Sequence, residues 1–420
     1  MSELLKLTSM CNRAAVPVID QPQLIYVLTE LVPGAAISNV RVPLNFSLVL
    51  DHSGSMAGEK LRTMKEAVNN IIDQLSADDI ISIVTFQSRT EILASAQPAT
   101  DKETLKRAVN KIRDGGGTNI APALQAALRL VSQSLAPQRV SRIILLTDGE
   151  ATDREEESRH VADQAGSSGV PIIGLGFGQE WKEDFLFDLA DRSIQAAPGS
   201  RLGMADYIPT PKETEQIFKE VYQSMQVVAR EVMVTLRMVQ GLEARRVWQV
   251  APLIRDLGHA VIQGRTIQIQ TGQLDKSGVA YLAEIMLPPR PEGAVRIAQA
   301  DLTYQTPEQG IQRQATDLVV QYSGDPALYN QIVGHVMNIV EKVQAFRLQT
   351  QALDDAQSGD VNNATRKLRQ AVTILLSQGE TELAGQMQQE ADHLEESGQV
   401  SNEGKKTIML TSRKTVRLSE

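Results

Sequence analysis

The sequence predicts an α/β domain with a doubly wound, mostly parallel sheet, inserted in an antiparallel β-sandwich and followed by a small α-helical bundle. Three observations carry that prediction. Between residues 43 and 228, near-continuous apolar runs alternate with helix-period segments, the pattern of parallel strands covered by helices on both faces. Between 229 and 324 the segments become short and alternating, separated by Gly, Pro or Asp, which suits an antiparallel sandwich. From 325 to 398 the pattern is helical, with breaks at Gly359-Asp360 and Gly379.

Taken in order, Gln23–Pro33 (QLIYVLTELVP) reads as a strand with no partner in a doubly wound order. Residues 1–42 are therefore assigned to completing the sandwich, which makes the α/β domain an insertion. Leu44–Asp51 (LNFSLVLD) is a buried strand ending in an acid. Residues 59–75 follow with Leu61, Met64, Val68, Ile71, Ile72 and Leu75 at helical spacing. Ile80–Phe86 is a second buried strand, and residues 88–96 can pair with it as a hairpin arm. Helices are predicted over 102–112 and 120–134, on either side of Gly115, Gly116 and Gly117. A strand over 142–147, the helix Glu155–Ser167, a strand over 170–176 and helices over 182–191 and 211–228 complete the domain. Sandwich strands are predicted over 231–238, 245–250, 260–270, 280–287, 295–304 and 312–322. Helices follow over 328–357, 361–378 and 380–396, and 399–420 reads as a basic, Thr-containing tail without a core-forming pattern.

Composition narrows the function classes. A net charge of -9 over 420 residues argues against nucleic acid as a partner, because phosphate binding needs a clustered basic surface. The one cysteine, Cys11, cannot form an intramolecular disulfide. Residues 1–10 lack the cationic and apolar regions of a signal peptide, and no window approaches the ~20 apolar residues of a membrane helix. The expected location is the cytoplasm.

The chemistry concentrates at strand ends. Strand Leu44–Asp51 runs into Asp51-His52-Ser53-Gly54-Ser55, with a carboxylate and two hydroxyls at alternate positions. Thr118 follows the three glycines just before a helix, and Asp148 follows the strand ending at Thr147. Open α/β sheets bind ligands at the carboxyl edge of their strands, so these loops can converge on one crevice. Ser or Asp after a strand often caps the next helix, which is the simpler reading for either serine alone. The five residues together favour a metal site.

In order, spacing and strand context, Asp51, Ser53, Ser55, Thr118 and Asp148 resemble the motif set of a von Willebrand factor A domain with a metal-ion-dependent adhesion site. Over residues 42–228 the chain looks like the bacterial intracellular type, with a flanking β-sandwich and a C-terminal helical region. The resemblance implies that Ser53, Ser55 and Thr118 supply neutral hydroxyl oxygens to a magnesium ion (or manganese or calcium). Asp51 and Asp148 then act mostly through waters and hydroxyl hydrogen bonds. Oxygen-only donors suit a hard cation and disfavour zinc. The implied function is non-enzymatic: an adaptor that binds an Asp or Glu carboxylate of a partner protein through the ion. Two alternatives stay open, an assembly adaptor for an AAA-type ATPase and a hydrolase using the same crevice.

Other motifs fall away. Gly174-Leu175-Gly176-Phe177-Gly178 has Gln179 where a dinucleotide fingerprint needs glycine, and Gly115–Thr118 lacks the Gly-Lys-Ser/Thr of a phosphate loop. His52 lies outside the ligand set and reads as a surface or packing residue. Thr407 and Thr415 each follow basic residues and precede a leucine by three. That resembles kinase targets and the phosphothreonine peptides bound by forkhead-associated domains; the same segments also read as short strands.

Overall fold

Strands that are apolar on both faces need cover on both faces, and the N-terminal segment is the first to require it. The computed structural model describes residues 4–34, 42–148, 155–177, 181–195, 204–208, 214–306 and 310–409. It opens with β1 (Leu5–Cys11), β2 (Ala15–Pro17) and β3 (Gln23–Pro33). The next elements are β4 (Leu44–Asp51), α1 (Glu59–Gln74), β5 (Ile80–Phe86), β6 (Thr90–Pro98), α2 (Lys102–Asn110) and α3 (Ile120–Ser132). Then come β7 (Val140–Thr147), α4 (Glu155–Ser167), β8 (Ile172–Phe177), α5 (Glu183–Ser193), β9 (Ala205–Ile208) and α6 (Thr214–Ser224). Strands β10 (Val227–Met238), β11 (Glu243–Ala251), β12 (Arg255–Gly258), β13 (Ile262–Gln263), β14 (Thr266–Asp275), β15 (Val279–Leu287), β16 (Gly293–Thr306) and β17 (Gly310–Ser323) follow. Helices α7 (Pro326–Tyr329), α8 (Gly334–Gln357), α9 (Val361–Ser377), α10 (Thr381–Ser397) and α11 (Asn402–Met409) end the described chain.

The chain divides into two units, Arg41–Gln226 and Met1–Val40 with Val227–Glu420. In the first, the sheet order is β6-β5-β4-β7-β8-β9. All neighbours are parallel except β6, which runs antiparallel to β5. Every residue of β4 is buried, and α1 lays Leu61, Met64, Val68, Ile71 and Ile72 into the core. Because β4 has β5 on one side and β7 on the other, the strand order reverses beside it. The carboxyl ends of β4 and β7 therefore flank the crevice where open α/β sheets bind ligands. The glycines of β8 serve packing: a Cβ on Gly176 would lie 2.1 Å from the Trp181 ring.

In the second unit two antiparallel sheets form the sandwich, β1-β3-β15-β11-β12 and β13-β14-β10-β16-β17-β2. Among the described residues the one exception to antiparallel pairing in these sheets is β2, which is parallel to β17. Strand β3 pairs along its length with β15, from Leu31↔Val279 to Gln23↔Leu287. Alternate residues Ile25, Val27 and Leu31 enter the sandwich core with Val234, Leu236 and Ile285. Leu28 on the opposite face packs with Trp248, Leu282 and the α8 residues Val336, Val340 and Val343. Helix α8 is thus the cover that the second face of β3 demands, and it explains why the apolar Tyr26 and Leu28 stand between the core positions Ile25, Val27 and Leu31. Among the described residues no helix is long and apolar enough to cross a membrane. Cys11 is buried, and burial pushes its thiol up to about 12.

Several sequence expectations are corrected. Strands β1, β2, β9 and β12 match no strand expected from the sequence, although β1 and β2 lie in the segment assigned to the sandwich. The helix expected over 211–228 is shorter: residues 211–213 lie outside the described residues, α6 ends at Ser224, and Val227 opens β10 because Val228, Ala229 and Val232 join the sandwich core. The strand expected over 260–270 is split by Gly264, whose φ of 60 permits the tight turn from β13 into β14. The helix expected from 328 starts at Gly334, since the Val333 amide donates to the Asn12 carbonyl at 2.8 Å. The segment expected as a tail from 399 holds α11 instead. Buried Glu390 accepts the Ser401 amide at 2.7 Å and the Ser401 hydroxyl, Ser401 Oγ in turn accepts the Gly404 amide at 2.9 Å, and Ile408 is 1% exposed. Thr407 therefore sits on a helix and not on a strand, while Thr415 lies outside the described residues.

If β3 is a structural member of the sandwich, Ile25→Ala should cost about 2–5 kcal/mol. Hydrogen exchange on the full chain should show faster exchange in β3, β11 and β15, with β4, β5 and β7 unchanged.

Candidate metal centre

The carboxyl end of β4 delivers Asp51 to the floor of the crevice with 0% exposure. A buried carboxylate needs donors, and two meet it. Thr147 Oγ1, at the end of β7, donates to Oδ2 at 2.6 Å, and the Ser53 amide donates to Oδ1 at 2.8 Å. Burial raises the Asp51 carboxyl above the ordinary carboxylate value; these hydrogen bonds oppose the rise and the charge of Asp148 adds to it. Ser53 leads a single 3-10 turn, Gly54–Met56, but its hydroxyl makes no capping bond. Instead Ser53 Oγ lies 3.1 Å from Ser55 Oγ, and Ser55 Oγ donates to Asp148 Oδ1 at 2.7 Å. Helix capping therefore does not account for either serine.

The glycine loop is pinned to the same turn. The Gly54 amide donates to the Gly116 carbonyl at 3.1 Å, and the Gly115 amide to the His52 carbonyl at 2.9 Å. Gly116 has φ +77, and a Cβ there would meet the Gln87 side chain. Thr118, two residues on, is 5% exposed. The structure thus joins Asp51, Ser53, Ser55 and Asp148 in one hydrogen-bonded chain and fixes the loop carrying Thr118 against them. Ser53, Thr118 and Asp148 are buried, while Ser55 is exposed, so the hydroxyls run from the floor to solvent. The His52 ring Nδ1 is 2.7 Å from the Arg113 carbonyl, which makes it a packing residue that anchors the loop before the glycines.

One residue escaped the sequence reading. Lys60 Nζ lies 2.6 Å from Asp148 Oδ2, with side-chain exposures of 29% and 0%. A signal was present: Lys60 stands in the first turn of α1, where the helix dipole disfavours a cation, so a nearby anion was to be expected.

Among the described residues no group of three His, Cys, Asp or Glu side chains could hold a metal. The donor set at this crevice is different in kind, hydroxyl oxygens backed by two carboxylates. It fits a hard cation that keeps some of its waters.

The fold and the crevice define an open α/β sheet with a hydroxyl-rich site at the carboxyl ends of its strands. Residues 45–198 match the model of the von Willebrand factor type A domain. Residues 334–418 match that of the Sll0103-like C-terminal alpha-helical domain. The chain therefore carries both domains. It is 28% identical over 388 residues to the "Uncharacterized protein sll0103" of Synechocystis sp., covering 90% of this chain and 89% of that one. It is 30% identical over 194 residues to inter-alpha-trypsin inhibitor heavy chain H2 of Mus musculus, but spans 20% of that protein's length. A solved von Willebrand factor type A protein from Catenulispora acidiphila superposes with a TM-score of 0.72 at 20% identity, over 98% of this chain and 97% of that one. The ArnB paralog VWA2 of Sulfolobus acidocaldarius follows with a TM-score of 0.52 at 16% identity, over 98% and 99%. Both share the fold along the whole chain, sandwich and helices included.

Removing the hydroxyl that holds Asp51 tests the floor of the site. Thr147→Val leaves a buried carboxylate oxygen unsatisfied and should cost about 1–3 kcal/mol. Of the two tryptophans, Trp181 reports on the α/β unit, so its fluorescence in a Trp248→Phe background should show a lower denaturant midpoint.

Proposed function

We propose that this protein is a non-enzymatic interaction protein. Its von Willebrand factor type A domain would bind an Asp or Glu side chain of a partner protein at a divalent-cation site formed by Ser53, Ser55 and Thr118, with Asp51 and Asp148 behind them. The supporting observation is the continuous run of hydrogen bonds from Ser53 through Ser55 to Asp148, beside an Asp51 held at both oxygens. A bound magnesium or manganese ion would supply an incompletely neutralised positive charge that accepts a carboxylate oxygen.

The chain's own residues set the terms of that contact. Thr147 and the Ser53 amide hold Asp51 in one orientation. Asp148 draws the Ser55 hydroxyl hydrogen toward itself, so Ser53 is the donor in the Ser53–Ser55 contact and one Ser55 lone pair is left for a cation. Neutral hydroxyl donors leave more positive charge for an incoming anion than carboxylate donors would. A hydrolase would need a nucleophile paired with a base. Here the His52 ring is committed to the Arg113 carbonyl and not to a serine, which supports binding over histidine-assisted hydrolysis.

Calorimetry with Mn2+ and Mg2+ tests the reading. The full chain should bind one ion, and Asp51→Ala should weaken binding at least about tenfold while circular dichroism stays unchanged. A folded Asp51→Ala protein with wild-type affinity would overturn the assignment.

A further inference from the structure

Lys60 has no part in the site just proposed, yet its ammonium lies 2.6 Å from the buried Asp148 carboxylate. The contact is asymmetric. Asp51 is held by a hydroxyl and an amide, both neutral. Asp148 takes a neutral hydroxyl on one oxygen and the Lys60 cation on the other. The site's two carboxylates thus share one built-in positive charge, carried on the first turn of α1 where the helix dipole gives it no support.

We propose that Lys60 is an internal counter-cation. It weakens loading of the divalent ion and strengthens the loaded site's attraction for an acidic ligand. The inference rests on the metal-centre reading above. With two carboxylates and Lys60 the empty site carries a net charge of about -1, and a divalent ion turns it to about +1. Without Lys60 the same steps run from about -2 to about zero. The ion therefore enters a more attractive site when the lysine is gone, and the carboxylate then meets a less attractive one. These opposite signs separate the proposal from a packing role, which would move both affinities the same way. The ion changes the site by two charges with or without the lysine, so Lys60 sets the two affinities and leaves their mutual coupling unchanged.

A cation within about 4–6 Å of a carboxylate lowers its affinity for a proton by ~10–1000-fold. Because the Lys60 side chain is partly exposed, the low end, about tenfold, is expected for the ion.

The test uses the full chain, Mn2+ followed by electron paramagnetic resonance, and acetyl-glutamate-amide as the acidic probe. Lys60→Met should bind Mn2+ about tenfold more tightly than wild type, and Lys60→Arg should match wild type. Titrated into the Mn2+-saturated proteins and read from the spectrum of the bound ion, the probe should bind Lys60→Met more weakly than wild type. The same variant loses the partner of a buried carboxylate, so it should melt lower in chelator and gain more from Mn2+ than wild type does. Unchanged or weaker Mn2+ binding by folded Lys60→Met, alongside a wild type that binds and an Asp51→Ala that binds much more weakly, would overturn this inference alone. A wild type that binds no Mn2+ would overturn the metal-centre reading and this inference with it.

Discussion

A carboxylate with no exposure at the end of a central strand has to be met by fixed donors, and much of the α/β unit is arranged by that requirement. Asp51 takes one donor from β7 and one from the turn that follows β4. The first ties the ends of neighbouring strands together. The second folds the chain back on itself within two residues and aims Ser53 and Ser55 at the crevice. A buried charge left without partners would cost several kcal/mol. The turn, the pinned glycine loop and the hydroxyl chain therefore form one unit with the carboxylate and could not be replaced piecemeal.

Much of this was legible in the sequence for physical reasons. The apolar runs of Leu44–Asp51 and Ile80–Phe86 signal strands covered on both faces, and Leu61, Met64, Val68, Ile71 and Ile72 signal a single helix face. Asp51, Ser53, Ser55 and Asp148 could be placed together because parallel strands bring their carboxyl ends to one edge. Lys60 could not be placed so directly. Its role depends on a contact with a residue far along the chain, and only the mismatch between its charge and the helix dipole hinted at it.

The errors in the reading have particular causes. Helical spacing ran on past Ser224 because Val227 and Val228 continue the apolar pattern, although they belong to a strand. Strand β1 has one exposed and four half-buried residues between its buried ends, so it gave no clear period. Helix α11 is short and polar, and a short helix is marginal without tertiary support. What holds it in place is buried Glu390, which receives the Ser401 amide and hydroxyl. Such a partner across a helix junction leaves no mark on local periodicity.

The pairing of β3 with β15 also bears on how the chain can be made. Leu31 finds its neighbour in Val279, and Gln23 finds its neighbour in Leu287. At about 5–20 residues per second of translation, the partner strand trails β3 by roughly 10–50 s. Through that interval the segment has β1 along one edge but neither its β15 partner nor the α8 cover. The α/β unit, whose strands all lie within Arg41–Gln226, is complete on the ribosome well before the sandwich can close. Nascent-chain handling, and not the equilibrium stability of the finished molecule, is then the stage at which an N-terminal strand of this kind is most exposed to misassociation.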